Sequence, residues 1–180
     1  PRLLSREAKA GRLEFIREMK ETIRLLGNHP SIAAWVIFNE GWGQFQTEDM
    51  TRIVRRLDPN RLIDQASGWF DQGGGDFSSL HNYFFKLFIR PERERASVLS
   101  EFGGYSYREP GHCAKEKLYG YGICKNKKDL EKRFLERWSG VRNLIPQGLS
   151  ASIYTQWTDV EEEVNGVFTY DREVRKIEPF

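Results

Sequence analysis

A chain of 180 residues, 39% hydrophobic and 30% charged, has the makeup of one globular piece, with no apolar run long enough to cross a bilayer. Its 28 basic and 26 acidic residues leave a net charge of +2, too small a surplus to argue for nucleic acid as a partner. Two cysteines, Cys113 and Cys124, could bridge a loop or stay reduced, and neither stands in the histidine and carboxylate pattern of a nucleophilic thiol.

Read in chain order, strand and helix signals alternate. Leu13, Ile16, Met19, Ile23 and Leu26 recur at three and four residues and predict a helix that stops at Gly27. The run Ile32 to Phe38, bounded by His29-Pro30 and Gly41, predicts a strand buried on both faces. It ends abruptly in Asn39-Glu40, at the carboxyl end of a strand, where parallel α/β folds place their chemistry. Thr47 is predicted to cap a helix with Glu48 and Asp49 in its first turn and Met50, Ile53, Val54 and Leu57 as its buried stripe, ended by Asp58-Pro59.

Leu62 to Ala66 gives the next strand, and Gly73-Gly74-Gly75 then forbids a regular element. Those glycines are not a phosphate cradle, because no lysine with serine or threonine follows at the needed spacing. Phe77 to Tyr83 and Ser97 to Ser100 are the third and fourth strands, the latter leading into Glu101-Phe102-Gly103-Gly104. The basic clusters at Arg90 to Arg95 and Lys125 to Lys128 flank turns and read as solvated loops. Tyr105 to Lys127 is a loop too long to be mere connection. Leu130, Phe134, Trp138, Val141 and Ile145 form a third helical stripe closed by Pro146 and Gly148, before a last strand, Ser152 to Trp157. Such alternation predicts a parallel sheet.

Two glutamates that end strands, Glu40 and Glu101, form a candidate carboxylate pair. Glycoside hydrolysis needs such a pair, one group to protonate the leaving oxygen and one to meet the positive charge that develops at the anomeric carbon. The bland alternative is a pair of ordinary rim residues on a solvated barrel face. The wording around the glutamates favours the first. Asn28-His29-Pro30-Ser31-Ile32 followed by Asn39-Glu40 resembles the acid/base signature of glycoside hydrolase family 2, the β-galactosidase and β-glucuronidase family. Asp58-Pro59-Asn60-Arg61 resembles the link into that family's next strand, and Ser100-Glu101-Phe102-Gly103 its nucleophile motif. Tyr154 to Asp159, with Asn165-Gly166-Val167 and Tyr170-Asp171-Arg172, resembles the end of its catalytic barrel, and His81-Asn82-Tyr83 is a weaker fifth match.

The resemblance implies an α/β fold, a partial TIM (β/α)8 barrel comprising about strands 4 to 8 with their helices. A complete barrel takes roughly 250 residues, so residues 1–180 are expected to be the carboxyl-terminal portion of a glycosidase barrel, without its first three strands and the preceding sandwich domains. It implies Glu101 as nucleophile, Glu40 as general acid/base, Asn39 as a ligand of the sugar hydroxyl next to the anomeric carbon, and Trp157 as an aromatic platform beneath the sugar. Tyr83 is expected to hydrogen-bond the nucleophile, the two carboxylates to lie roughly 5 Å apart as retention requires, and carbohydrate to be the substrate, with no organic cofactor.

His81 could bind a sugar hydroxyl or be a satisfied histidine, and the lack of a second histidine or acidic cluster beside it in sequence argues against a metal site. Tyr105, Tyr107, His112, Tyr119 and Tyr121 could stack on sugar rings or pack the long loop, and Trp42 and Trp69 stand in the same position. Partners expected beyond the sugar are another copy of the chain or the absent barrel half, since an open barrel leaves unpaired edges. The sugar itself, galactose, glucuronate, mannose or another, is not legible.

Overall fold

The computed structural model describes residues 5–178, which fall into two compact units. The first takes in the chain up to His81 together with Arg90–Val98, and the second comprises Asn82–Ile89 and the chain from Leu99 onward.

The first unit opens with helix α1 (Lys9–Leu26), which ends at Gly27 as the sequence predicts. Gly27 stays right-handed at φ −62°, so its value lies in space: a Cβ there would come within 2.6 Å of the Ile23 carbonyl oxygen, which accepts the Gly27 N–H. Strand β1 (Ala34–Asn39) pairs in parallel with β2 (Leu62–Ser67), from Ala34 opposite Leu62 to Asn39 opposite Ser67. Helix α2 (Thr47–Leu57) connects them. The predicted Thr47 cap is corrected: Thr47 is already helical, Gln46 holds the N-cap position in a left-handed conformation, and no side chain caps the end. Phe38, Phe45, Met50 and Ala66 form one core cluster with Phe15 stacked on Phe38, and Ile23, Val54 and Ile63 form another beneath Trp35 and Leu57.

Burial of β1 on both faces is also corrected. Phe38 is buried, but Val36 is 58% exposed and lines a groove of about 200 Å³ with Phe15, Met19, Trp35 and Ile37. An apolar run predicts double burial only where both faces are covered, and β1 has one strand neighbour, β2, among the described residues.

Strands β3 (Phe77–Asn82), β4 (Ala96–Gly103) and β7 (Leu149–Thr155) form a three-stranded sheet in the order β3-β4-β7. In the second unit the long loop contains two short strands, β5 (Tyr105–Ser106) and β6 (Gly122–Ile123), which pair in parallel. Helix α3 (Lys127–Arg142) starts at Asn126, whose side chain accepts the Asp129 N–H at 2.9 Å. It stops short of Ile145. Pro146 has no N–H to continue the ladder, and a 3-10 turn at Ile145–Gln147 closes on left-handed Gly148 instead. Cys124, Leu130, Phe134 and Ile177 make the core of this unit, with Tyr105, Tyr107, Trp138 and Tyr154 packed against it. Cys113 and Cys124 are both free, and burial pushes the Cys124 thiol up.

Lys176 is wholly buried in this unit. Its ammonium donates to Asp159 Oδ1 at 2.6 Å, to the Val164 carbonyl at 2.8 Å and to the Tyr107 carbonyl at 3.1 Å. Three donors meet three acceptors, two from the segment 159–164 and one from Tyr107, far from it in sequence. No helix among the described residues is long and apolar enough to cross a membrane.

Candidate active site

β1 delivers Asn39 and Glu40 at its carboxyl end, where the chain turns sharply: Glu40 and Gly41 both take left-handed conformations, at φ 53° and 82°. Gly41 is required by a close approach, since a Cβ there would lie 2.3 Å from the Phe70 ring. The Glu40 N–H donates to the Ser67 carbonyl, which extends the β1–β2 ladder by one residue and fixes the backbone beneath the carboxylate. Asn39 stands exposed one residue earlier.

The Glu40 carboxylate is partly buried and is held by His81, whose Nδ1 lies 2.8 Å from Glu40 Oε1. The other ring nitrogen, Nε2, lies 3.0 Å from the Ser67 hydroxyl. With both nitrogens engaged, the His81 side chain, which has no exposed surface, matches the satisfied-histidine alternative. It nonetheless touches the candidate acid/base directly. Gly68 makes room for it: its φ is 84°, and a Cβ would lie 2.4 Å from the imidazole. The indole of Trp69 meets the imidazole edge-on at 6.4 Å.

In the second unit β4 delivers Glu101, which accepts a hydrogen bond from the Tyr83 hydroxyl. The same phenol oxygen lies 3.3 Å from the Thr155 hydroxyl at the end of β7. Burial first, then the bond to Glu101, pushes the Tyr83 phenol well above its ordinary value, so it remains a donor across the physiological range. Gly103 and Gly104 follow in left-handed conformations, and a Cβ on Gly103 would strike the Tyr154 ring at 2.3 Å.

Trp157 is 70% exposed, with its indole tilted against Phe168 at 5.0 Å. Asp159, two residues on, is pinned by Lys176 and accepts the Gly166 N–H at 2.7 Å, so the turn carrying Trp157 hangs from a buried ion pair. Of the loop aromatics, Tyr105 and Tyr107 pack the core, Tyr121 stacks on Tyr83, and His112 pairs with Asp171; Tyr119 remains half exposed. Trp42 and Trp69 are exposed at 63% and 43%. Ser67 and Tyr121 are contributors that the sequence did not single out for these positions. Ser67 closes an ordinary strand, and a stacking partner has no sequence pattern.

The alternation of strands and helices, with strand pairs running in parallel, defines a mixed α/β chain of the kind that makes up part of a TIM barrel. The chain belongs to the glycosyl hydrolases family 2, whose TIM barrel domain matches residues 5–102. No curated protein matches it. Among solved structures it is similar to a β-glucuronidase of Faecalibacterium prausnitzii, at 13% identity and a TM-score of 0.62, over 90% of this chain and 32% of that one. It is also similar to the β-glucuronidase of Ruminococcus gnavus (17%, TM-score 0.60, 89% of this chain and 33% of that one) and to that of Parabacteroides merdae (14%, 0.61, 95% and 26%). At these identities the likeness establishes the fold, a partial TIM barrel, and the chain spans about a third of the length of the first two.

Proposed function

We propose that the chain carries the catalytic carboxylates of a retaining β-glycoside hydrolase. Glu101 attacks the anomeric carbon as the leaving-group bond breaks, and Glu40 protonates the departing oxygen; water then attacks the glycosyl-enzyme, with Glu40 taking its proton. Tyr83 aims Glu101, His81 aims Glu40, Asn39 contacts the hydroxyl beside the anomeric carbon, and Trp157 supports the sugar ring. The observation that carries this reading is that each motif-matched glutamate, Glu40 just past β1 and Glu101 near the end of β4, is hydrogen-bonded to a buried ring, Glu40 to His81 and Glu101 to Tyr83.

The reading includes a larger enzyme, because the chain spans 32% and 33% of two similar solved structures and β1, beside an apolar groove, pairs with one strand among the described residues. We propose that the 180 residues act as the carboxyl-terminal part of a complete barrel, with further strands against β1. The test uses the complete enzyme on p-nitrophenyl β-D-galactoside, glucuronide and mannoside. Glu101→Gln should abolish turnover, and azide should partly rescue Glu40→Ala. Substantial turnover by Glu101→Gln would sink the assignment, and azide rescue of Glu101→Gly with retention, but not of Glu40→Ala, would exchange the roles.

A second reading, a carbohydrate-binding or structural piece without catalysis, draws on the same exposed edge at Val36. Sedimentation of the isolated 180 residues separates the two. Self-association or instability fits a barrel part, a stable monomer without turnover fits the second reading, and a stable monomer that turns over glycosides would show that no further strands are needed.

A further inference from the structure

The long loop after Glu101 returns to the site it left. β5 and β6 pair with Tyr105 opposite Gly122 and Ser106 opposite Ile123, and the Tyr121 N–H donates to the Gly104 carbonyl at 3.2 Å. Tyr121 is thereby set beside Gly104, three residues after Glu101. Its ring lies on the Tyr83 ring, with centroids 3.7 Å apart and planes 10° from parallel. Gly104 permits this approach: its φ is 67°, and a Cβ would lie 2.6 Å from the Tyr121 ring and 3.1 Å from the Tyr83 ring. Phe84 closes the arrangement, edge-on to both tyrosines at 6.5 and 5.3 Å.

The aim of a phenolic O–H follows the plane of its ring, and a contact on the ring's face restrains that plane's tilt. Tyr83 is 4% exposed, and Tyr121 supplies such a face contact. We propose that Tyr121 is a positioning residue: by stacking on Tyr83 it aims the hydrogen bond that Tyr83 donates to Glu101, and so aligns the nucleophile for attack. This rests on the reading of Glu101 as nucleophile. It gives the long loop a role in catalysis without any contact between Tyr121 and the sugar.

The test is a cycle of Tyr121→Ala, Tyr121→Phe and Tyr83→Phe in the complete enzyme. It is read by kcat and KM on whichever aryl β-glycoside is cleaved, and by the rate at which the matching 2-deoxy-2-fluoro-β-glycosyl fluoride labels Glu101, followed by mass spectrometry. Because a misplacement of about 1 Å can cost about 100-fold, Tyr121→Ala, which loosens rather than removes the bond, should lower kcat and labelling rate about 10-fold with KM unchanged within about twofold. Tyr121→Phe keeps the stack and should stay within about twofold of the parent, and adding Tyr121→Ala to Tyr83→Phe should cost less than about twofold more. Tyr121→Leu, which fills most of the volume, replaces the alanine variant if that one fails to fold, and the same loss is expected.

The proposal is overturned by an undiminished kcat in Tyr121→Ala, by a rise in KM alone, which would mark a substrate contact, or by the full loss persisting in the Tyr83→Phe background. Activity of Glu101→Gln would instead overturn the nucleophile assignment. A dead Glu101→Gln with an additive cycle overturns only the role of Tyr121.

Discussion

Replacing Lys176 by methionine should destabilise the second unit severely. Burial pushes Asp159 above and Lys176 below their ordinary values, and their mutual contact opposes both shifts. Removing the ammonium leaves the Asp159 carboxylate buried with only the Gly166 N–H at Oδ1, while Oδ2 already has no hydrogen-bond partner. It also strips a donor from the buried Val164 carbonyl and from that of Tyr107. Breaking a buried pair from one side costs about 3–5 kcal/mol, a large share of the roughly 5–15 kcal/mol that holds a domain together. With a urea slope of about 2 kcal/mol per molar, the midpoint of a Trp fluorescence denaturation curve should fall by about 2 M. Adding Asp159→Asn keeps an acceptor for Gly166 and removes the stranded charge, so the double variant should recover at least about 1 kcal/mol relative to Lys176→Met alone. A loss under about 1 kcal/mol in the single variant, or strict additivity in the double, would refute the view that this pair holds the unit's loops together.

The His112–Asp171 pair should make the long loop sensitive to pH. Its bond to Asp171 raises His112, and bonds from Thr169 and then His112 lower Asp171 to about 2. The histidine's contribution is complete below about pH 6.5 and is lost as pH rises through its raised value, while the aspartate's is present above about 4 and is lost toward about 2. Amide protection around residues 109–113, taken relative to the intrinsic exchange rate at each pH, should accordingly be greatest between about pH 4 and 6.5 and should fall above that, and His112→Gln should flatten the profile. Gly68→Ala should cost about 1–3 kcal/mol from backbone strain alone and push the imidazole away from Glu40, so melting temperature and kcat should both fall; an unchanged kcat would dissociate His81 from the acid/base. Leu130→Ala, at a fully buried position, should cost about 2–5 kcal/mol in the same denaturation assay.

Much of this was legible in the sequence because it follows from period and position. The runs around Phe38, Ile63, Ser79, Leu99 and Ser152 all lie in strands, and the stripes of Met19, Val54 and Phe134 all lie in helices. Glu40 stands out because it follows an apolar run with an amide and a charge, and Glu101 because Ser100-Glu101-Phe102-Gly103 resembles a family motif. What stayed hidden depends on partners remote in the chain. β5 and β6 are two residues each, too short for any periodicity, and their pairing gives the loop its course. Lys176 sits in a charged tail that reads as solvent-facing, and it is buried because three oxygens converge there. Thr47 carries the right side chain for a cap but lies one residue too late. The chain enters α2 through a left-handed Gln46 that no sequence rule anticipates.

The pairing of β5 with β6 divides the segment after Glu101 into a stem and a tip. The stem ends with Tyr121 against Gly104, whereas Gly111, near the tip, has nothing within 4 Å of where a side chain would begin. Insertions or exchanges between residues 109 and 117 therefore leave the Tyr121–Tyr83 stack its footing. Such a loop is a natural cassette: its tip can change in length and composition while the residues packed at its base stay in place.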